Sequence, residues 1–357
     1  MHTRRRALQN LGAAACLLGS QTVFAQPSSP KRKIKVGQIG VGHAHANKLS
    51  VYRASDDYDV VGIVEPDVEL QSAVKDKAPY NDLPWMTEEQ LLNVPDLDAV
   101  LVETQVENLL ATAQTCIDAG KHVHLDKPAG ESLAAYRKLL NDAEKKDLLV
   151  QMGYMYRYNP AIIMLHKFLD EGWLGEVFEL HTVMSKVVDP KSRQQLAKFP
   201  GGMMFELGCH IIDLAVGVLG APDQVTAYAQ SVHADKDSLS DNMLAVLEYP
   251  RATATIKTSA LEVEGFSRRH LVVCGTGGTF HIQPLDNPSA RVALNQSRGE
   301  FKASYQDISF PKFERYVADA TDMAHIIRGE KAMDFSYTHD LNVQTTVLRA
   351  SGLENRS

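Results

Sequence analysis

The feature that most constrains this chain is an alternation of short apolar runs with helical patterns, beginning at residue 34. IKVGQIGV, YDVVGIVE, LDAVLVET, KHVHLDKP and LLVQMGY read as five strands. Between them, HANKLSVYRAS, TEEQLLNV, VENLLATAQTCIDAG and ESLAAYRKLLNDAEKKD carry helical periodicity, the third stopping at Gly120. Strands that alternate with helices are joined by crossovers, which gives a parallel, doubly wound sheet. After about residue 155 the texture changes. The helix PAIIMLHKFLDEG is followed by EVFELHTVMSK, QVTAYAQSV, DNMLAVLEY, ATATIKTSA, HLVVCGT and GTFHIQ, all strand-like. The long exception is GGMMFELGCHIIDLAVGVLG, and two helices close the chain, FERYVADATDMAHIIRGE and THDLNVQTTVLRASG. Runs of strands predict a large, mostly antiparallel sheet in a second, α+β domain. The fold class is thus α/β, with a doubly wound domain over 34–153 and an α+β substrate and oligomerisation domain over 154–357.

The N-terminus, MHTRRRALQNLGAAACLLGSQTVFAQPSSP, has three arginines, a mildly apolar stretch and the small residues Val23 and Ala25 before a cleavage point. Residues 1–25 fit a signal peptide, with 26–33 as linker. Thr3-Arg4-Arg5-Arg6-Ala7-Leu8 resembles the twin-arginine type, which exports folded proteins, so an export translocase and a periplasmic location are expected. Removing 1–25 takes away three arginines and no acid, and the charge of −7 becomes −10. Such an acidic chain is not built for nucleic acid. No apolar run beyond the N-terminus is long enough to span a bilayer. Cys116, Cys209 and Cys274 remain, an odd number without zinc spacing, and read as small buried hydrophobes.

Gly40-Val41-Gly42 stands where the first strand meets its helix. Glycine there lets the backbone approach a pyrophosphate, whose charge the helix N-terminus favours. The third position of the G-x-G-x-x-G/A pattern is His45. Glu65 closes the second strand, 23 residues beyond Gly42, where a carboxylate accepts from a ribose hydroxyl. The same charge repels a 2′-phosphate, so the expected cofactor is NAD, with NADP the lesser choice. His43 and His45 are assigned to the cofactor's border, His45 neutral at the helix N-terminus. A metal pair in HAH is the minor alternative, and no metal is assigned.

Two further stretches carry chemistry. KHVHLD ends at the carboxyl edge of the first sheet, and Lys127 follows with Pro128, a bond that can be cis. In PGGMMFELGCHIIDLAVG, Glu206 and His210 are four apart and Asp213 three further on, one helical face. A carboxylate touching an imidazole orients its tautomer for general-base work on an alcohol.

Taken together, the chain from about Lys33 onward resembles the Gfo/Idh/MocA family (glucose–fructose oxidoreductase, inositol dehydrogenase, MocA). The resemblance rests on Gly40 and Gly42, on AGKHVHLDKP beside the family's AGKHV-x-x-EKP, on GYMYRYNPA, and on GGMMFELGCHIID beside GGG-x-x-x-D-x-G-x-H-x-x-D. It implies a Rossmann domain with nicotinamide at the domain interface and a homo-oligomer, dimer or tetramer. It implies that Lys127 hydrogen-bonds the reacting hydroxyl and that His210 is the general acid/base, with Glu206 in place of the motif aspartate. It places Thr104 and Gln105 near the nicotinamide, and Asp126, Lys127 and Arg157 among the cofactor-binding residues. Departures are Glu206, Asp126 for glutamate, Gln105 for proline, Leu109 where histidine is common, and His45. The leading expectation is NAD-dependent oxidation of a secondary hydroxyl on a sugar, cyclitol or glycoside, with a retained cofactor that is recycled in the pocket. Two alternatives stay open. One is glycoside cleavage by transient oxidation, elimination and re-reduction, and the other is a non-catalytic binding module on the same scaffold.

Overall fold

The computed structural model describes residues 31–354, so the expected signal peptide lies outside the described residues. β1 (Ile34–Ile39), β2 (Tyr58–Val64), β3 (Ala99–Val102), β4 (His122–Leu125) and β5 (Val150–Met152) form one sheet in the order β2-β1-β3-β4-β5. Every neighbouring pair is parallel. The strands read as nearly continuous apolar runs because both faces are covered. On one face Val100, Val102, Val123 and Leu125 pack with Leu109, Ala113 and Ile117 of the helix Leu109–Asp118. On the other, Ile34, Val36, Ala99 and Leu101 meet Leu49, Tyr52 and, from far along the chain, Ala320, Met323 and Ala324. These last belong to the helix Val317–Ile327, where their spacing makes one small apolar stripe. The chain therefore returns to close the first sheet, and the Tyr58 hydroxyl donates to the Ala320 carbonyl at 2.6 Å.

β6 (Val177–Ser185), β7 (Gln224–Gln230), β8 (Asn242–Glu248), β9 (Thr253–Ser259), β10 (His270–Gly275), β11 (Gly278–Ile282), β12 (Ser289–Leu294) and β13 (Tyr305–Ser309) form the second sheet. Its order is β13-β12-β11-β10-β6-β9-β8-β7, antiparallel except at the β6–β9 pair. Leu180, Met184, Ala254, Ile256, Leu271 and Val273 point into the core shared with the helices Pro160–Asp170 and Cys209–Leu219. Phe168 and Phe280 meet there edge to face, with centroids 5.1 Å apart. Among the described residues no helix is long and apolar enough to cross a membrane.

Additional to the sequence expectation are β12, β13, the helices Val68–Val74, Pro190–Leu196 and Gly265–Arg268, and the 3-10 turn Met155–Tyr158. The helix Val68–Val74 has no buried residue and is held by Asp67, which accepts from the Glu69 and Leu70 amides, so it carries no apolar signal. β13 is an exposed edge strand, and its pattern is correspondingly polar. The three cysteines are free, Cys116 and Cys209 buried and Cys274 half-buried.

Candidate active site

The strand order reverses between β1 and β3, and open parallel sheets leave a ligand crevice outside the carboxyl ends at such a point. The glycine turn after β1 and Thr104-Gln105 after β3 meet there. Gly40 has φ +95°, and a Cβ would stand 2.5 Å from the Thr104 nitrogen and 2.6 Å from the Glu103 carbonyl oxygen. Only glycine fits. A Cβ on Gly42 would stand 3.2 Å from Gln105 Cγ and 3.3 Å from Leu70 Cδ1. Both glycines leave a bare backbone edge at the mouth of the crevice, the cradle a dinucleotide phosphate requires. Glu65 braces the turn, its Oε2 accepting from the Val41 amide at 2.8 Å and its Oε1 from Asp67 at 3.0 Å. Each oxygen keeps a second lone pair for a ribose hydroxyl. The residues present fit the cofactor.

Behind the turn lies a buried ionic network that the sequence did not announce. Lys48 closes the short 3-10 turn Ala46–Lys48 and has no exposed side-chain surface. Its ammonium sits 3.0 Å from Glu103 Oε1, 2.9 Å from Asp126 Oδ2 and 2.9 Å from His124 Nε2. Asp126 and His124 accept hydrogen bonds from it, and Glu103 stands at ion-pair distance. Burial alone would lower its pKa, but Asp126 and Glu103 more than offset this and hold it raised. His124 accepts from Lys48, so its Nδ1 proton goes to Gln151 Oε1 at 3.0 Å. Burial, then Lys48, lowers His124 to about 3. Burial, then Asp126, pushes the Glu103 carboxyl well up against the pull of Lys48.

Asp126 is the hub. Burial would raise its carboxyl, but His43, Lys48 and His45 hold it well below the ordinary range. It lies 2.9 Å from His43 Nδ1, and it accepts from His45 Nδ1 at 3.2 Å and from its neighbour's amide, Lys127 N, at 2.6 Å. An ionised carboxylate only accepts, so His45 carries its proton on Nδ1. The His45 amide donates to His43 Nδ1 at 3.3 Å, which leaves that nitrogen of His43 an acceptor. His43, His45 and Asp126 thus bring metal-ligand atoms within 4.8 Å of one another. Lys48 already supplies the compensating positive charge at that carboxylate.

Lys127, just after β4, and His210, on the helix Cys209–Leu219, lie close enough for the ammonium charge to act on the imidazole. The Lys127–Pro128 bond is cis. Lys127 is buried, and its Nζ donates to Glu206 Oε2 and to the Glu206 carbonyl, both at 2.8 Å. Burial would lower its pKa; Glu206 outweighs this and holds it raised. Glu206, which burial would raise, is held low by Lys127. His210 lies on the helix Cys209–Leu219, 3% exposed, with an Nδ1 that has no partner. Burial, then the Lys127 charge, pushes its pKa well below the ordinary value. The site therefore pairs a fixed cation with a neutral imidazole.

The expectation of one shared face for Glu206, His210 and Asp213 is corrected. The contact foreseen between Glu206 and His210 is replaced by the Glu206–Lys127 pair. The reason is local: Met204–Gly208 is a π-helical turn, whose wider winding takes positions four apart off a common face. Asp213 leaves that face too and binds Arg157, at 2.6 Å to its NH2 nitrogen. Arg157, placed at the cofactor by resemblance, gives its other close bond to Asp340 at 2.6 Å and lies over the rings of Tyr154 and Phe335. It braces the site through Tyr154, whose ring meets that of His210. Lys48, Glu103, His124 and Tyr156 were missed. The available signal was a polar residue inside an otherwise apolar buried strand, as at His124, or directly after one, as at Glu103.

Comparison with known proteins gives the family. Residues 34–154 match the oxidoreductase family with NAD-binding Rossmann fold, and residues 162–281 match the GFO/IDH/MocA C-terminal domain. The chain belongs to the Gfo/Idh/MocA family. It is an oxidoreductase of that family, with an NAD-binding Rossmann domain. It is 27% identical over 59% of its length to the uncharacterized oxidoreductase YhhX of Escherichia coli (strain K12), and spans 60% of that protein. It is 25% identical to trans-1,2-dihydrobenzene-1,2-diol dehydrogenase of Bos taurus, over 69% of this chain and 71% of that enzyme. It is 26% identical to scyllo-inositol 2-dehydrogenase (NADP(+)) IolW of Bacillus subtilis (strain 168), over 62% of each. In fold it is similar to an oxidoreductase from Agrobacterium radiobacter solved with NAD+, L-tartaric acid and magnesium. The TM-score is 0.77 at 18% identity, covering 91% of this chain and 98% of that one.

Proposed function

We propose that this family member oxidises, reversibly, a secondary hydroxyl of a sugar, cyclitol or glycoside, using an NAD that it retains between turnovers. The observation that carries the reading is the charged Lys127, clamped by Glu206, near enough to the neutral His210 for its charge to act on the imidazole. Gly40, Gly42, Glu65, Thr104 and Gln105 would hold the cofactor, with His43, His45 and Asp126 behind them. When bound, the nicotinamide supplies the two-electron acceptor. The chain's own residues do the rest. Lys127 donates to the substrate oxygen and stabilises the charge that develops there. His210 takes the hydroxyl proton, which a neutral imidazole does and an imidazolium does not. The dihydrodiol and inositol dehydrogenases among the relatives act on ring carbons bearing hydroxyls, which supports the substrate class. Glu65 supports NAD over NADP, because its carboxylate faces the turn where a 2′-phosphate would add like charge.

The arginine-rich N-terminus supports export of the folded protein, and a retained cofactor follows from that. Outside the cytoplasm each pair of electrons removed has to be returned in the same pocket. The open outer face of the second sheet, with exposed Tyr228 and Tyr305, supports a homo-oligomer. The test uses protein purified without added NAD and a chromophoric glycoside together with a panel of free sugars and cyclitols. NAD released on denaturation, with sugar interconversion and intact glycoside, supports the redox reading. Release of the chromophore moves the assignment to cleavage by transient oxidation. Absence of any nicotinamide, with no uptake of added NAD, leaves a non-catalytic binding module.

A further inference from the structure

His210 is enclosed, so a proton it takes from substrate needs a way out. Three rings meet its imidazole: Tyr154, Tyr156 and His45, at centroid distances of 6.1, 5.4 and 5.9 Å. The Tyr154 hydroxyl is buried, and burial pushes its pKa well up. The Tyr156 hydroxyl donates to Asp286 at 2.6 Å and is likewise pushed up by burial. Neither phenol offers a basic lone pair. His45 does. Its Nδ1 proton is fixed on the Asp126 carboxylate at 3.2 Å, which leaves Nε2 as a free acceptor. Its side chain is 16% exposed, whereas His210 is 3% exposed and Asp126 is fully buried.

We propose that His45 is a proton-relay residue of this site, oriented by Asp126, carrying the proton between His210 and solvent. The inference rests on the oxidoreductase reading above. During oxidation the O–H bond of substrate breaks and its proton joins one nitrogen of His210. A proton leaves His210 for Nε2 of His45, directly or across one water, a reach the ring separation allows. His45 then releases a proton to solvent, and in reduction the steps reverse. The positive charge that passes through His45 is met by Asp126, as a buried carboxylate meets an imidazolium in acid–base dyads. Lys48 keeps that carboxylate ionised. The other titratable groups around His45 are His43, Lys127 and Tyr316, whose ring centroid is 5.8 Å away. Burial, opposed by Asp126, lowers His45 to about 4, so it passes a proton without retaining it.

The test compares wild type with His45→Gln by following nicotinamide reduction on myo-inositol, D-glucose and methyl glucoside. Ring-nitrogen NMR of histidine-labelled holoprotein runs in parallel, with the variant assigning the His45 signal. The expected result is a variant that keeps its NAD, turns over about tenfold to a hundredfold more slowly, and regains part of the rate with added imidazole. The expected spectrum shows His45 in the Nδ1–H form. Equal turnover and equal pH profiles overturn the relay, and so does loss of NAD from the variant. If wild type turns over none of the probes, the substrate reading fails separately. The relay is then judged on the spectrum, where an Nε2–H tautomer refutes it.

Discussion

Lys48→Met tests the buried network directly, because the replacement keeps the length of the side chain and removes its charge. Lys48 is the only cation within 3.0 Å of both Glu103 and Asp126 among the described residues, and all are fully buried. Removing one partner of a buried ion pair costs about 3–5 kcal/mol, because the remaining charge stays desolvated. The loss should depend on pH. Without Lys48 the Glu103 carboxyl, which burial and Asp126 already hold above its unfolded value, rises further. A raised carboxyl keeps its stability below the unfolded pKa and loses it as pH rises through the folded one. The gap between wild type and variant should therefore widen from about pH 4 towards neutrality. Urea unfolding followed by circular dichroism at several pH values measures it. The double variant Lys48→Met/Glu103→Leu removes one stranded carboxyl and should recover about 1 kcal/mol or more. A loss under about 1 kcal/mol at neutral pH, with no pH dependence, would show that the network is solvated and refute the reasoning.

Other outcomes follow from the same contacts. Lys127→Ala should lower turnover by about two orders of magnitude or more while the protein keeps its NAD, checked by steady-state rates and by mass analysis of the released cofactor. Gly40→Ala should cost at least about 2 kcal/mol from positive φ and the backbone overlap, and should empty the cofactor site; calorimetric NAD titration and thermal unfolding report both. Wild-type stability should fall on acidification. His45 takes its proton near pH 6.5 when unfolded and at about 4 when folded, so its contribution is whole above pH 6.5 and declines between 6.5 and 4. The amount is roughly 3 kcal/mol, and His124 adds to it in the same direction. A urea midpoint that stays flat over that range would contradict the buried neutral histidines.

The strand–helix alternation was legible because both faces of the first sheet are covered, which makes its strands uniformly apolar. Lys127 was legible as the residue that follows a strand at the sheet's carboxyl edge, and the turn as a glycine pair. What escaped were contacts set by tertiary packing. A lysine at position 48 on a helical pattern reads as a solvated side chain, and only the folded chain puts Glu103, His124 and Asp126 around it. The pairing of Glu206 with Lys127 depends on a π-turn, and no periodicity at 3.6 residues announces one. The helix Val317–Ile327 reads as part of the second half, yet its Ala320–Met323–Ala324 stripe fills a face of the first sheet.

The division of labour between a permanently charged Lys127 and a neutral His210 is tested most directly by the pH dependence of single-turnover nicotinamide reduction, on whichever polyol of the panel reacts. The account predicts a rate that falls only on the acid side, as imidazoles protonate, and holds steady through about pH 10, where an ordinary lysine would lose its proton. A rate that climbs or collapses across that alkaline range, and loses this feature in Lys127→Ala, would mean that the ammonium itself gives up the proton, contrary to the account.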